Sequence, residues 1–459
     1  VSYEDAPATP DADDPAIWVN RTDYRRSLVI GTAKDAGLVV FDLSGRLVQA
    51  LFPPNAPQVL DVDPPTPPGL NQAAGNPCPE SENGETFGRF NNVDIAFGVK
   101  LGRHAGAHPV DVAVVSDRGC DRVRFFAIDP SHPDGPLVDI TAPDVPRVFP
   151  QRYDQPSALQ PSGDVEGWAD NPLDDQNTVY GLTVDQERSN NVFVTERERG
   201  LVRQLVIEPT SASTLTYRVE RTFLFDTSFD LEDADGNPYS WTPCREAVQE
   251  EPQSEGLVFD AVNDTLFVAF ETIGLYRLDV GKGTPDFVRV GRNRLIEPVR
   301  SFGQAYHAIP DDDEFECEYD PEAAPEMGTI EAPGSNANVG AFIEADLEGL
   351  SIITSSHGEL VLLASSQGDS SFHFYWVRSN RLRPRHLGSF LIDGVGDTDG
   401  VHYVPVALSR QYPLGLLVVQ NGEAPIPDGT PEEINGFEVD GATQFLFVNF
   451  AETLRALRN

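Results

Sequence analysis

Lysine is nearly absent from this chain: Lys34, Lys100 and Lys282 are the only three among 33 basic residues, the rest being arginine. Basic residues of either kind are outnumbered by 73 Asp and Glu, which leaves a formal charge of −40 at pH 7. That balance excludes binding nucleic acid or an anionic membrane by bulk electrostatics, so an anionic partner requires a metal ion or a local basic pocket. An acid-rich, lysine-poor surface suits a saline or secreted setting, and equally a lineage habit of composition. No run approaches the roughly 20 apolar residues of a membrane span, and Val1 opens a polar, proline-rich segment without a signal-peptide pattern. The expectation is a soluble monomer, secreted or periplasmic and numbered after processing. Cysteine is scarce too: the four residues, at 78, 120, 244 and 317, form no CxxC and have no histidine-rich ligand spacing around them, which argues against zinc. Helical periodicity is confined to the end, around Ala451 to Leu457.

What the chain does contain is short apolar runs rich in Val, Leu, Phe and Ile, separated by Gly, Pro, Asp and Asn clusters, which predicts strands and turns throughout. The runs recur. A polar or acidic residue, often followed by Gly, precedes a short apolar strand at Asp14, Asp94, Tyr180, Glu255, Glu348 and Asp399. Each copy is followed by a second strand ending abruptly in a polar side chain: Leu28 to Lys34, Val110 to Arg118, Val192 to Arg197, Leu266 to Glu271, Leu360 to Gln367 and Leu414 to Asn421. A third strand follows in every copy, and a fourth in most, as in Arg46 to Phe52, Tyr217 to Phe225, Phe287 to Val290 and Leu387 to Ile392. Four strands in each of six repeats predict an all-β fold, a six-bladed β-propeller forming one domain over residues 1–459. The last repeat lacks an evident fourth strand, and Val1 to Ala6 are the segment expected to supply it.

Long insertions fall between repeats, at Pro53 to Arg89, Thr141 to Thr178, Asp226 to Gln253 and Ser301 to Ala345. In a meandering blade these connections open on the same face as the second-to-third-strand turns, so the insertions are expected to wall the active-site face. Onto that face the repeats bring acids: Asp13, Asp14, Asp94, Glu255, Asp346, Glu348, Asp393, Asp397 and Asp399, joined by Glu271 at a second-strand end. Any one Asp is most often a turn cap. Several in register repel one another unless cations neutralise them, and an all-oxygen, loop-borne set favours Ca²⁺ over Mg²⁺. A second group is cationic: Lys34, Arg118 and Arg197 end the second strands of the first three repeats, and Tyr180 lies between them. Forked guanidinium groups beside bound cations suit a phosphate-rich anion, although each residue alone reads equally as a surface ion pair. Searches for GxSxG, HExxH and Walker A patterns find nothing, and Asp233-Ala-Asp235-Gly236 matches only part of an EF-hand loop. Asn20 and Asn263 begin sequons.

Taken together, the motifs resemble the calcium-dependent β-propeller phytases. The resemblance is carried by Asp11-Ala-Asp-Asp-Pro-Ala-Ile-Trp18, Ala33-Lys34, Gly37 to Leu43, Asn91-Asn-Val-Asp94, Val179-Tyr-Gly181, Gln253-Ser-Glu-Gly256, Asp346-Leu-Glu-Gly349, Ser365-Ser-Gln-Gly368, Asp397-Thr-Asp-Gly400 and Gln420-Asn-Gly-Glu423. It runs in family order across all six repeats. The resemblance implies hydrolysis of phosphomonoesters of myo-inositol hexakisphosphate, of the 3-phytase type, on a substrate bound as a calcium complex, with several Ca²⁺ ions in fold and site. By the same resemblance Asp13, Glu255, Asp346, Glu348 and Asp399 hold active-site calcium, with Glu271, Gln367 and Asp393 nearby. Asp14 and the Val93 carbonyl belong to a structural site, and Lys34, Arg118, Tyr180 and Arg197 bind phosphate. Two departures stand out. Arg197 replaces a lysine of some relatives, and Gln420-Asn-Gly-Glu-Ala424 stands where members often read Gln-Asp-Gly-Glu-Asn. Two other classes compete, a non-catalytic calcium-binding propeller and a metal-dependent propeller lactonase; neither requires cations beside the acids. Among the three pairings that four cysteines allow, adjacency favours Cys78 with Cys120 and Cys244 with Cys317, as expected in an oxidising compartment.

Overall fold

The β-branched and aromatic runs become antiparallel strands in the computed structural model, and strands that follow one another along the chain pair into one sheet per blade. The structure describes residues 11–54, 71–73, 75, 78, 87–102, 109–150, 178–197, 199–210, 213–232, 238–243, 253–281, 293–303, 306–311, 314–319, 342–354, 360–378, 383–426, 433–434, 437–438, 441–451 and 453. Blade one comprises Pro15–Trp18, Leu28–Thr32, Leu38–Asp42 and Leu47–Phe52, with Asn71–Ala73 added in parallel at its outer edge. Blade two is Phe90–Lys100, Pro109–Asp117, Arg122–Ile128 and the short Leu137–Asp139. Blade three is Val179–Val184, Asn191–Glu196, Leu201–Pro209 and Leu215–Leu224. Blade four is Leu257–Asp260, Thr265–Phe270, Gly274–Asp279 and Asn293–Pro298. Blade five is Leu347–Thr354, Leu360–Ser366, Ser371–Val377 and Arg385–Phe390. Blade six has three described strands, Val401–Val404, Leu416–Asn421 and Gln444–Asn449.

This is the expected six-bladed propeller, with differences in detail. The fourth strand of blade four is Asn293–Pro298, while the expected Phe287 to Val290 lies outside the described residues, as do Val1 to Ala6. The insertions contain hairpins of their own, Phe229–Glu232 with Pro238–Trp241 and Tyr306–Asp311 with Glu314–Tyr319. Asp233, Asp235 and Cys244 lie outside the described residues. Cys78 and Cys120 are joined as a disulfide, with a Cα separation of 5.0 Å. Among the described residues no helix is long and apolar enough to cross a membrane.

The core is a ring. Apolar faces pack between neighbouring blades: Trp18, Ile30 and Phe90 between one and two, Val112, Leu182 and Val194 between two and three, and Phe259, Phe267 and Leu350 around blade four. Leu363, Phe372 and Tyr403 join blades five and six, and Val29, Tyr412 and Leu416 join six to one. Sheets packed face to face around an axis leave first strands innermost, and these line a central cavity of about 640 Å³. Polar latches fix the blades at its upper end. Thr32 donates to the Asn91 carbonyl, Thr195 Oγ1 to the Ser254 carbonyl at 2.6 Å and Ser365 Oγ to the Asp399 carbonyl at 2.7 Å. Each hydroxyl ends a second strand and holds the entry to the next blade. Across the ring closure, Gln420 Nε2 donates to the Ala12 carbonyl at 3.2 Å and the Ala12 amide to Thr443 Oγ1 at 2.6 Å.

Candidate functional site

The glycines that follow the polar residues at the repeat starts have a steric reason. A Cβ on Gly181 would lie 1.9 Å from the Glu255 carbonyl oxygen, on Gly256 1.8 Å from that of Glu348, and on Gly400 2.6 Å from the Asp14 Cα. Glycine therefore lets the backbone of the next acid cross at close range, blade after blade. The acids converge as a result. Carboxylate oxygens of Asp13, Glu255 and Asp399 lie within 4.8 Å of one another, as do those of Glu255, Glu271 and Glu348, so Glu255 belongs to both groups.

These carboxylates are buried and short of donors. Both oxygens of Asp13, Oε1 of Glu271, Oε2 of Glu348 and Oδ1 of Asp399 have no hydrogen-bond partner among the described residues. Burial first, then the charges of Glu255 and Asp399, push the Asp13 carboxyl well up. Glu271 and Glu348 rise for the same two reasons, burial and neighbouring acids. Glu255 is pushed up to about 7 by burial and Asp399, against the pull of hydrogen bonds from Tyr180 and Asn92 and the charge of Lys34. Asp14 also rises through burial, although its Oδ2 accepts from the Val93 amide at 3.1 Å. Orphaned carboxylate oxygens grouped in the interior, with no sulfur or nitrogen donor among them, fit a hard cation such as Ca²⁺.

Beside the acids stands the cationic group. Lys34 has a left-handed backbone, φ 37°, and its Nζ lies 2.6 Å from Asp11 Oδ2. The acids Asp11, Asp13 and Asp399 outweigh burial and hold it charged. Arg118 opens the 3₁₀ turn Arg118–Cys120, whose start is capped by Asp117. Asp117 also pairs with Arg124 in a fully buried ion pair, and Cys120 carries the disulfide, so the turn presenting Arg118 is anchored on three sides. The Arg118 guanidinium lies 5.5 Å from the Tyr180 ring centre. Arg197 Nε donates to Gln253 Oε1 at 3.1 Å. Tyr180 is driven well above the usual phenol range by burial and by Glu255, Glu271 and Glu348, which keeps its hydroxyl a donor.

Asn91 joins the two groups. Its amide nitrogen donates to Glu255 Oε1 at 3.0 Å and its amide oxygen faces Arg118 Nη1 at 3.5 Å. Sequence reasoning gave it no role, although it stands in the motif Asn91-Asn-Val-Asp94. The acid of that motif, Asp94, is engaged elsewhere: it accepts from the Val184 amide at 2.7 Å and from Thr183, bracing blade two against blade three. Of the remaining expected residues, Asp346 has φ 57° and its carbonyl accepts from the Gln367 amide at 2.7 Å, while its charge reaches Glu271 and Glu348. Gln367 hydrogen-bonds the Asp397 side chain. Asp393 lies exposed in the turn after blade five, apart from the buried acids. Arg89, also without an assigned role, places its guanidinium against Asp35 and close enough to feel Asp11, Asp13 and Arg197.

The model of the Phytase family matches residues 3–55 and 295–439. The chain is 22% identical over 422 residues to the 3-phytase of Bacillus subtilis (strain 168), covering 90% of this chain and 75% of that protein. Among solved structures it is similar to the periplasmic gluconolactonase of Pseudomonas aeruginosa, at 12% identity and a TM-score of 0.36, over 83% of this chain and 70% of that one. A putative 6-phosphogluconolactonase from Bacteroides uniformis gives 10% identity and a TM-score of 0.37, over 94% and 88%. The resemblance to the phytase family carried by the motifs is thus found independently in both terminal parts of the chain.

Proposed function

For a phytase-like propeller hydrolase with these two groups side by side, we propose calcium-dependent hydrolysis of myo-inositol hexakisphosphate to lower inositol phosphates and inorganic phosphate, of the 3-phytase type. The observation that supports the reading most is the meeting of donor-starved buried carboxylates with cations at Asn91, since neither a calcium-binding scaffold nor a lactonase needs the cations. Asp13, Glu255, Glu271, Glu348 and Asp399 are the proposed calcium ligands, with Asp346 and Gln367 beside them and Asp14 with the Val93 carbonyl as a separate structural site. Calcium held there supplies positive charge to phosphate oxygens and lowers the pKa of a water near them. Lys34, Arg118 and Arg197 take the substrate's phosphate oxygens, the two guanidinium groups by forked hydrogen bonds and the lysine as a point charge. Their positions, set before substrate arrives, stabilise the charge that grows on the phosphoryl group during attack. Tyr180 adds a hydroxyl donor that does not ionise. Asn91 orients Glu255 and Arg118 toward each other, which couples the two halves geometrically. The substrate enters as a calcium complex, and a monomer acting in a secreted or periplasmic, calcium-containing setting completes the proposal.

Release of inorganic phosphate from calcium phytate, measured with and without a chelator, tests it. Turnover that requires calcium supports the reading; no phosphate release by the intact protein at any calcium concentration rejects it.

A further inference from the structure

We infer that Arg89 is a fourth substrate-contacting cation and a specificity-determining residue of this site. The inference rests on the phosphomonoesterase reading above. Arg89 lies between the cations already named. Its carbonyl accepts from the Arg118 amide at 2.7 Å, and the next residue, Phe90, donates its amide to the Lys34 carbonyl at 3.1 Å. Its own amide donates to Asp117 Oδ1 at 3.1 Å, the same carboxylate that caps the turn presenting Arg118. Backbone bonds thus tie Arg89 to blade one on one side and to blade two on the other.

The side chain is held from one edge only. Nη1 lies 3.3 Å from both oxygens of Asp35, while Nε is buried and has no acceptor among the described residues. A buried N–H without an acceptor is costly, and an anion arriving from the mouth offers the acceptor the chain does not. The side chain as a whole is 20% exposed, although Nε itself is covered. Its electrostatic neighbours are Asp35, Asp11, Arg197 and Asp13, and it opposes the charge on Lys34. Arg89 is thus repelled by both Lys34 and Arg197, and a multiply charged anion beside it relieves that repulsion. If Arg89 served only as the partner of Asp35, removing either member of the pair would have the same consequence.

That contrast is the test. The KM and kcat for calcium phytate, and the inhibition constant for inorganic phosphate below the point of calcium phosphate precipitation, are measured for the parent, Arg89→Gln, Arg89→Lys and Asp35→Asn. Loss of charge-assisted bonds predicts that Arg89→Gln raises KM and the phosphate inhibition constant by about 10- to 100-fold with a smaller change in kcat. Arg89→Lys, which keeps the charge without the fork, is expected between parent and Arg89→Gln, and it decides the matter if Arg89→Gln fails to fold. Asp35→Asn leaves the guanidinium charge less neutralised, so both constants stay within about threefold of the parent. Unchanged constants in Arg89→Gln, or equal losses in Arg89→Gln and Asp35→Asn, overturn the inference. If the parent itself releases no phosphate, the phytase reading falls instead. Calorimetric binding of inorganic phosphate to the parent and Arg89→Gln then judges Arg89, with equal binding counting against it.

Discussion

Blades one to three and blades four to six bring opposite charge to the same mouth: Lys34, Arg118 and Arg197 end second strands in the first half, and Glu255, Glu271, Glu348 and Asp399 come from the second. Blade one adds Asp13 and Asp14 on the acidic side. The halves differ also in satisfaction. Each cation meets an acceptor within the chain, Asp11 for Lys34, Asn91 for Arg118 and Gln253 for Arg197, whereas five acid oxygens meet no donor among the described residues. Self-repulsion in the acidic half is a standing cost that only bound cations or protons remove. In the cationic half Lys34, Arg118 and Arg197 each have an acceptor within the chain, and Arg89 Nε is the exception among the described residues. The same four-stranded repeat therefore serves two purposes, and the acidic half should respond to metal while the cationic half responds to anion.

The largest effect expected is on the acidic half. Stripping calcium should lower turnover by about a thousandfold or more and reduce the melting temperature by roughly 10 °C, since a ligand that binds only the folded state stabilises it by mass action. Glu255→Ala should weaken calcium occupancy and turnover together, with partial rescue by added calcium. An unchanged melting midpoint in chelator would erase the distinction between the halves. Next come Arg118→Ala and Arg197→Ala, each removing bonds worth about 1.5 to 3 kcal/mol, so activity should fall by roughly 10- to 100-fold. Melting curves with and without calcium should stay as in the parent, and full activity in both variants would put the phosphate site elsewhere.

A smaller effect separates protons from metal. Without calcium the folded acids bind protons more tightly than the unfolded chain, with Asp13, Glu271 and Glu348 pushed up and Glu255 brought to about 7. That contribution is fully present below about pH 4 and is lost as pH rises through the folded values. Metal-free protein should therefore melt at falling temperature between about pH 5 and 8, and saturating calcium should abolish the fall. A metal-free midpoint that climbs over this range would contradict the buried-acid account. The smallest effect belongs to the latches shared by both halves: Ser365→Ala should cost about 1 kcal/mol, roughly 2 °C in melting, and leave calcium dependence unchanged.

Much of this arrangement was legible in the sequence, for reasons that differ by residue. The blade order followed from runs repeated with period-two strands, and the acids followed because Gly181, Gly256 and Gly400 record the close crossing of the next backbone. Asn91 was not legible, because its role depends on reaching Glu255 in a blade 164 positions away. Arg89 was hidden in the same way, Lys34 being brought to it by a bridge between blades and Arg118 by strand pairing within blade two. Asp94 stands in register with the acids yet bonds the Val184 amide and Thr183 hydroxyl of blade three, a distinction set by side-chain direction, which a linear motif does not encode. The fourth strand of blade four was placed too early because apolar alternation at Phe287 to Val290 resembles a strand as closely as Asn293–Pro298 does.

The central claim, that one half of the mouth holds calcium and the other holds phosphate, is tested most directly by crystals of the protein grown with calcium and inorganic phosphate and measured for anomalous scattering. The account predicts calcium peaks among Asp13, Glu255, Glu271, Glu348 and Asp399, and phosphate density reached by Lys34, Arg118 and Arg197. Calcium absent from those carboxylates under saturating metal, or phosphate bound away from those cations, would contradict it.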